Sequence, residues 1–436
     1  MRILIGNRFS VIEGDFPRAK VFPVTTIKTP PIWLGPKKKI AGKTIQLLKP
    51  DGSFPVGLSE RVARTLPEAE VIDMRDLPAF QTPWSCNYTL RDYQQAAVEK
   101  LIAYPHRGVC WTPTASGKTY IAAEVIRRIG LPALYLVHRN EIVKQVHEKL
   151  SKWFPFKIGI CTGKEFEPSD LVMVSSVYSV HKIANFDRYI TLICDEAHHC
   201  PMETYQEILL GTPAPYRFGF SGTPTGRADQ KDLLLIAATG EIRYQMTTKE
   251  LGDMGLTPKA GVVFFPFTFT DRQSLLYERR PWNVIEGELL SENAPRNQMI
   301  SEICKSAPGK ILVFVNRVSH GLRLVELLKG EDVTFCSGSD DIHTRVAALT
   351  NRCKITIATK IFDEGIDVED FETLVIASGG KSAITTMQRV GRGMRNFEGK
   401  FLNIIDIFDK GIPMLERHSK TREKIYRSLG FQIYSA

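Results

Sequence analysis

The sequence predicts an α/β protein in which two tandem parallel-sheet domains follow a small β-rich accessory domain. Three observations carry this. From about residue 108, short apolar runs of strand length alternate with stretches of helical 3.6-residue spacing. The alternation begins afresh near residue 310. Residues 1–85 lack it, and Pro and Gly there punctuate short β-like runs. A chain of 436 residues with 43% apolar composition has material for two or three cores.

The accessory domain, residues 1–85, contains KTIQLL and AEVIDM as its β-like runs. Its first 50 residues hold ten Lys or Arg against two acids, so they supply +8 of the chain's net +9. Such asymmetry points to a polyanionic partner, with nucleic acid the first candidate and a solvated basic surface the alternative. The cluster Lys37, Lys38 and Lys39, with Arg18, Lys20 and Lys43, is the natural contact surface. Trp33 reads equally as a core residue or a stacking one.

The first sheet domain, residues 86–255, has GVCWT, ALYLVH, LVMVSS, YITLICD and YRFGFS as buried strands. YIAAEVIRRI and EIVKQVHEKLSKWF are its helices. The second, residues 256–436, repeats the pattern with KILVFVN, VTFCSG, KITIATK, FETLVIAS and FLNIIDIFD. SHGLRLVELLKG, HTRVAALTNR and AITTMQRVGRGMR separate them as helices. Gly and Pro between 252 and 300 place a hinge near 255–262, with the remainder a lead-in to the second domain. No apolar run reaches the roughly 18 residues of a membrane span, and the start lacks a signal-peptide pattern. An intracellular, cytoplasmic protein without membrane association is expected, in a bacterial or phage-infected cell, with a nuclear setting left open. The eight cysteines are scattered and read as small buried hydrophobes rather than disulfides.

The first chemical motif is TPTASGKT, Thr112 to Thr119, running from a buried strand into a helix. Such a loop aims several backbone N–H groups and the positive end of a helix dipole at one anion. Thr114, Ala115, Ser116 and Gly117 would wrap the phosphates of ATP. Lys118 would reach the β and γ phosphates, and Thr119 would ligate Mg²⁺. Thr112 stands where the general pattern has its first Gly. LICDEAHHCP supplies the second motif. Asp195 and Glu196 end a strand on the edge where ligands of an open parallel sheet bind. Asp195 suits Mg²⁺, and Glu196 suits orienting and deprotonating the attacking water. A zinc reading of Cys194, His198, His199 and Cys200 competes. Strand alternation counts against it, because Cys194 should point into the core and adjacent side chains do not converge tetrahedrally.

TPTASGKT, DEAHH, SGTP at 221–224 and QRVGRGMR at 388–395 together resemble the ordered motifs of the superfamily 2 helicases and translocases, over roughly residues 88 to 410. LRDYQ, VHRNEIVKQ and the closing RHSKTREKIYRSLGF look most like the branch of XPB and the phage UvsW-type recombination helicases. The resemblance implies two RecA-like domains and an ATP-dependent DNA helicase or translocase. It further implies action as a monomer on branched or forked DNA such as replication forks, Holliday junctions and D-loops. A duplex translocase motor of a restriction or remodelling assembly, a slow nucleotide-gated clamp and an RNA helicase are the alternatives.

The same resemblance assigns Gln94 to adenine reading, with Arg91 flanking the nucleotide. Ser221 and Thr223 become the coupling motif, and a core or turn role is their alternative. Arg392 and Arg395 become arginine fingers, with Gln388 and Arg389 on nucleotide or the opposing domain. Glu364, Gly365 and Asp367 link nucleotide to the nucleic-acid track. Arg139, Ser175, Ser176 and Thr359 become phosphate-backbone contacts, with helix capping the alternative for the two serines.

Overall fold

A computed structural model describes the chain apart from residues 34–38, 114–115, 223–229, 257–258, 338–339, 341–352, 360–370, 381–400, 429 and 436. It divides into two compact units. The first spans Met1–Pro113 and Gly117–Met246, and the second begins at Thr247. Among the described residues no helix is long and apolar enough to cross a membrane.

The first unit opens with a four-stranded sheet ordered Ser53–Pro55, Phe9–Glu13, Arg2–Ile5 and Glu70–Asp73. Alternation along Arg2–Ile5 buries Ile3 and Ile5 on one face. That face has no core of its own. Ile3, Phe54, Val56, Leu58 and Val62 share one apolar cluster with Leu235, Ile236 and Ala238 of the helix Asp232–Thr239. Gly57 makes the junction, since a Cβ there would strike the carbonyls of Ile236 and Ala237. Arg61 adds a bidentate bond to Glu241 at 2.9 and 3.0 Å, and Arg243 pairs with Glu60. The segment expected to stand apart is therefore packed as a layer on its neighbour, and cutting it away would expose that core. KTIQLL contributes a strand, Thr44–Gln46, to a separate pairing with Thr26–Lys28.

Among its described residues the large sheet of this unit has eight strands, parallel but for the short antiparallel strand Phe166–Glu167 at one edge. From that edge follow Ile158–Cys161, Val172–Ser176, Ala133–Val137, Thr191–Cys194, Tyr216–Ser221, Arg107–Trp111 and Ile242–Gln245. The strand before the phosphate loop and the strand before Asp195 thus flank Tyr216–Ser221. Three neighbouring strand ends meet at one edge. The helices Lys118–Ile129 and Asn140–Trp153 follow two of the strands, each turning one apolar face to the sheet.

Among its described residues the second unit holds a seven-stranded, all-parallel sheet. Its order is Val333–Cys336, Ile355–Ala358, Ile311–Phe314, Thr373–Ile376, Phe401–Lys410, Lys259–Thr268 and Gln432–Ser435. Lys259–Thr268 corrects the expectation of a hinge near 255–262 and a lead-in beyond it, because these ten residues form an interior strand. Pro266 misled the reading. It faces Phe408 on one side, but pairing with the other neighbour ends at Phe264, so its missing N–H interrupts no ladder there. The expected helices within 343–352 and 383–395 lie outside the described residues.

Candidate active site

Gly117 has φ +75° and caps the helix Lys118–Ile129. Glycine adopts this left-handed conformation without the steric penalty other residues meet. A Cβ at Gly117 would collide with the side-chain amide of Gln94, so only this residue type lets Gln94 lie against the loop. Gln94 is buried on the helix Asp92–Ile102, where its Oε1 accepts the backbone N–H of Arg91 at 3.0 Å. The Lys118 ammonium donates to the carbonyls of Thr112 at 3.4 Å and Pro113 at 3.2 Å. It is thereby held across the loop it is expected to serve.

Asp195 and Glu196 follow the strand Thr191–Cys194. The buried hydroxyl of Tyr135 donates to Asp195 Oδ2 at 2.9 Å. The tyrosine thereby holds the expected magnesium carboxylate in place. Burial, then the Asp195 charge, hold the phenol well above its ordinary pKa, so it stays a donor. The other Asp195 oxygen accepts the Glu196 backbone N–H at 2.9 Å. Glu196 has φ +46°, a rare conformation for a residue with a Cβ, and it ends the strand where the two carboxylates stand in sequence.

Burial, followed by repulsion from Glu196, pushes the Asp195 carboxyl up to about 6, against the opposing pull of Lys118. A hydroxyl and a carboxylate are hard oxygen donors, so the residues present fit Mg²⁺. Cys194 and Cys200 instead belong to the apolar core. The zinc set is split accordingly, since His198 turns toward Glu196 and Ser221. Its Nδ1 lies 3.4 Å from Glu196 Oε2 and 3.2 Å from Ser221 Oγ. Sequence reasoning missed both Tyr135 and this use of His198. Each joins residues of different strands, and only the strand-end positions of Tyr135 and Ser221 hinted at it.

The remaining expected residues are placed less uniformly. Arg139 is exposed at the start of Asn140–Trp153, and Arg91 is exposed before Asp92–Ile102. Ser175 and Ser176 are buried. Ser175 donates to the Ser176 carbonyl at 2.9 Å, while Ser176 Oγ accepts the Tyr178 backbone N–H at 3.3 Å as a cap. Ser176 thus makes the cap that the alternative describes, whereas the Ser175 hydroxyl donates to a carbonyl and caps no helix. Thr359 is buried at the end of Ile355–Ala358, and Ser116 is buried beside Gly117. Thr114, Ala115, Thr223, Gly365, Asp367, Gln388, Arg392, Arg395, Lys37 and Lys38 lie outside the described residues, as does the side chain of Lys39.

Residues 87–226 match the family described as Type III restriction enzyme, res subunit, and residues 295–397 match the Helicase conserved C-terminal domain. The chain is 24% identical over 399 residues to the DNA 3'-5' translocase XPB2 of Sulfurisphaera tokodaii, covering 82% of this chain and 89% of that protein. It is 25% identical over 345 residues to the ATP-dependent DNA helicase uvsW of Enterobacteria phage T4, covering 73% and 68%. Among solved structures, the ATP-dependent Type ISP restriction-modification enzyme LlaBIII bound to DNA superposes with a TM-score of 0.58 at 14% identity. That match covers 86% of this chain and 34% of the larger enzyme, and its likeness is one of fold.

Proposed function

We propose, from the premise that the chain belongs to the superfamily 2 helicases and translocases in the branch of XPB and the phage UvsW-type enzymes, that this nucleic-acid-dependent ATPase remodels or unwinds branched DNA. The observation that carries the ATP chemistry is that Lys118 is held on the phosphate loop while Asp195, bonded by Tyr135 and by the Glu196 backbone, ends a strand on the same sheet edge. Magnesium, when bound, supplies positive charge on the β and γ phosphate oxygens, and Thr119 and Asp195 would hold it. Lys118 neutralises phosphate charge, Glu196 orients the attacking water and accepts its proton, and Gln94 reads the base edge. His198 Nδ1 stands 3.2 Å from Ser221 Oγ and 3.4 Å from Glu196 Oε2, so one ring nitrogen lies between the reacting edge and the proposed coupling motif.

Arg392 and Arg395 are proposed to complete the charge neutralisation, with Gln388 on the nucleotide. Gly365 and Asp367 would link nucleotide to track, and Thr223 would act with Ser221. Arg139 and the basic cluster Lys37, Lys38 and Lys39 would meet the phosphate backbone, which makes affinity salt-dependent. The archaeal and phage relatives, named as a DNA translocase and a DNA helicase, support DNA as the track. The test compares ATPase stimulation and strand separation on forked DNA, four-way junctions, plain duplex and RNA at matched salt. Forks and junctions should give the highest turnover and should be separated. Equal stimulation by plain duplex without strand separation would replace this reading with a duplex translocase, and stronger stimulation by RNA would reject DNA as the track.

A further inference from the structure

Beside the reacting edge lies a ring stack that the ATP chemistry does not use. Tyr178 follows the strand Val172–Ser176, His138 follows Ala133–Val137, and His199 belongs to the turn after Thr191–Cys194. These three strands are adjacent, with Val137 opposite Ser176 and Leu136 opposite Cys194. His138 lies face to face with His199, centroids 4.1 Å apart and planes 14° from parallel. His199 meets His198 at 4.3 Å. On the other side Tyr178 packs against His138 at 5.5 Å, with its hydroxyl 3.5 Å from Nδ1. Tyr205, fully buried, lies roughly parallel to His138 at 6.3 Å.

The two ends differ in exposure. Tyr178 is 48% exposed, whereas His198, which touches Glu196 and Ser221, is 4% exposed. Arg139, next to His138, is also exposed. An exposed aromatic ring on the carboxyl edge of the sheet, packed on a histidine whose chain neighbour is an exposed arginine, offers the chemistry that holds a single-stranded base and its phosphate. A displaced ring moves its packed neighbour, because stacked rings have few alternative arrangements in a close-packed setting.

We propose that Tyr178 contacts the nucleic acid and that His138 and His199 are positioning residues, through which this contact sets His198 and hence the orientation of the Glu196 carboxylate. The proposal rests on the ATPase reading above and deepens it, by giving nucleic-acid stimulation a named route. Steady-state ATPase is measured with and without single-stranded DNA for the parent chain and for Tyr178→Ala, His138→Ala and His138→Phe. The ratio of stimulated to basal kcat should fall on the order of tenfold in both alanine variants. His138→Phe keeps a stacking ring and should restore most of the ratio.

Three results would overturn the route. Stimulated and basal rates falling together would mark a merely structural role. A raised half-stimulating DNA concentration with an unchanged plateau would mark a grip without coupling. A His138→Phe variant as impaired as His138→Ala would remove stacking as the carrier. A parent chain that hydrolyses ATP without any stimulation by DNA or RNA would instead sink the underlying functional reading, so the two failures are told apart.

Discussion

The carboxyl edges of the two large sheets handle charge in opposite ways. In the second unit, Arg296 pairs with Asp409 at 2.8 Å and caps the Ala377 carbonyl, with the arginine wholly buried. Arg422 makes three contacts of 2.8 to 3.1 Å with Asp406 and caps the Gly380 carbonyl. Tyr426, one turn further along the helix Pro413–Ser428, donates to the same Asp406 at 2.9 Å. Burial alone would depress Arg422, but the facing carboxylate outweighs it and holds the guanidinium firmly charged. In the first unit, burial and Glu196 push Asp195 up to about 6. Charges that meet their partners at home fix a structure. The edge with the raised carboxyl is where the cation of the proposed nucleotide would supply positive charge.

The comparison can be broken most forcefully on the paired side. Arg422→Met leaves Asp406 buried without its partner and should cost about 3–5 kcal/mol in urea unfolding of the second unit, whereas replacing both by apolar residues should recover most of that. A loss below about 1 kcal/mol would mean that the pair does not anchor the closing helix.

A smaller effect of opposite sign is expected at the unpaired side. The folded Asp195 carboxyl, at about 6, lies above its ordinary 3.8. The fold therefore favours the protonated form, and stability is lost as pH rises through that window. Asp195→Asn should stabilise the nucleotide-free protein by about 2 kcal/mol at pH 8, with the gain shrinking toward pH 5, while turnover is lost. Thermal unfolding across pH checks the sign. A destabilised asparagine variant at pH 8 would remove the charge imbalance from the account.

Much of the architecture was legible because parallel strands buried on both faces read as unbroken apolar runs, as in ALYLV and TLIC. Lys259–Thr268 was not, because Gly261 and Pro266 look like breakers until their neighbours in the sheet are known. Nor was the fusion of the N-terminal sheet to its neighbour. Alternation shows which face of Arg2–Ile5 is apolar, but not that the helix Asp232–Thr239 covers it. Within the site, Gly117, Lys118, Asp195 and Glu196 were readable from strand, loop and helix in sequence. Tyr135 was hidden in a run that reads only as core. His198 and His138 were hidden because their partners, Ser221 and His199, come from other strands.

The central claim is that Glu196 performs chemistry at this edge rather than binding there. Its most direct test measures ATP turnover of Glu196→Gln with saturating DNA, alongside the affinity for a fluorescent ATP analogue, with Lys118→Ala as the binding-defective control. The account predicts nucleotide affinity close to the parent's and turnover reduced by at least about 10²-fold. Turnover within a few-fold of the parent, with the nucleotide bound, would contradict it.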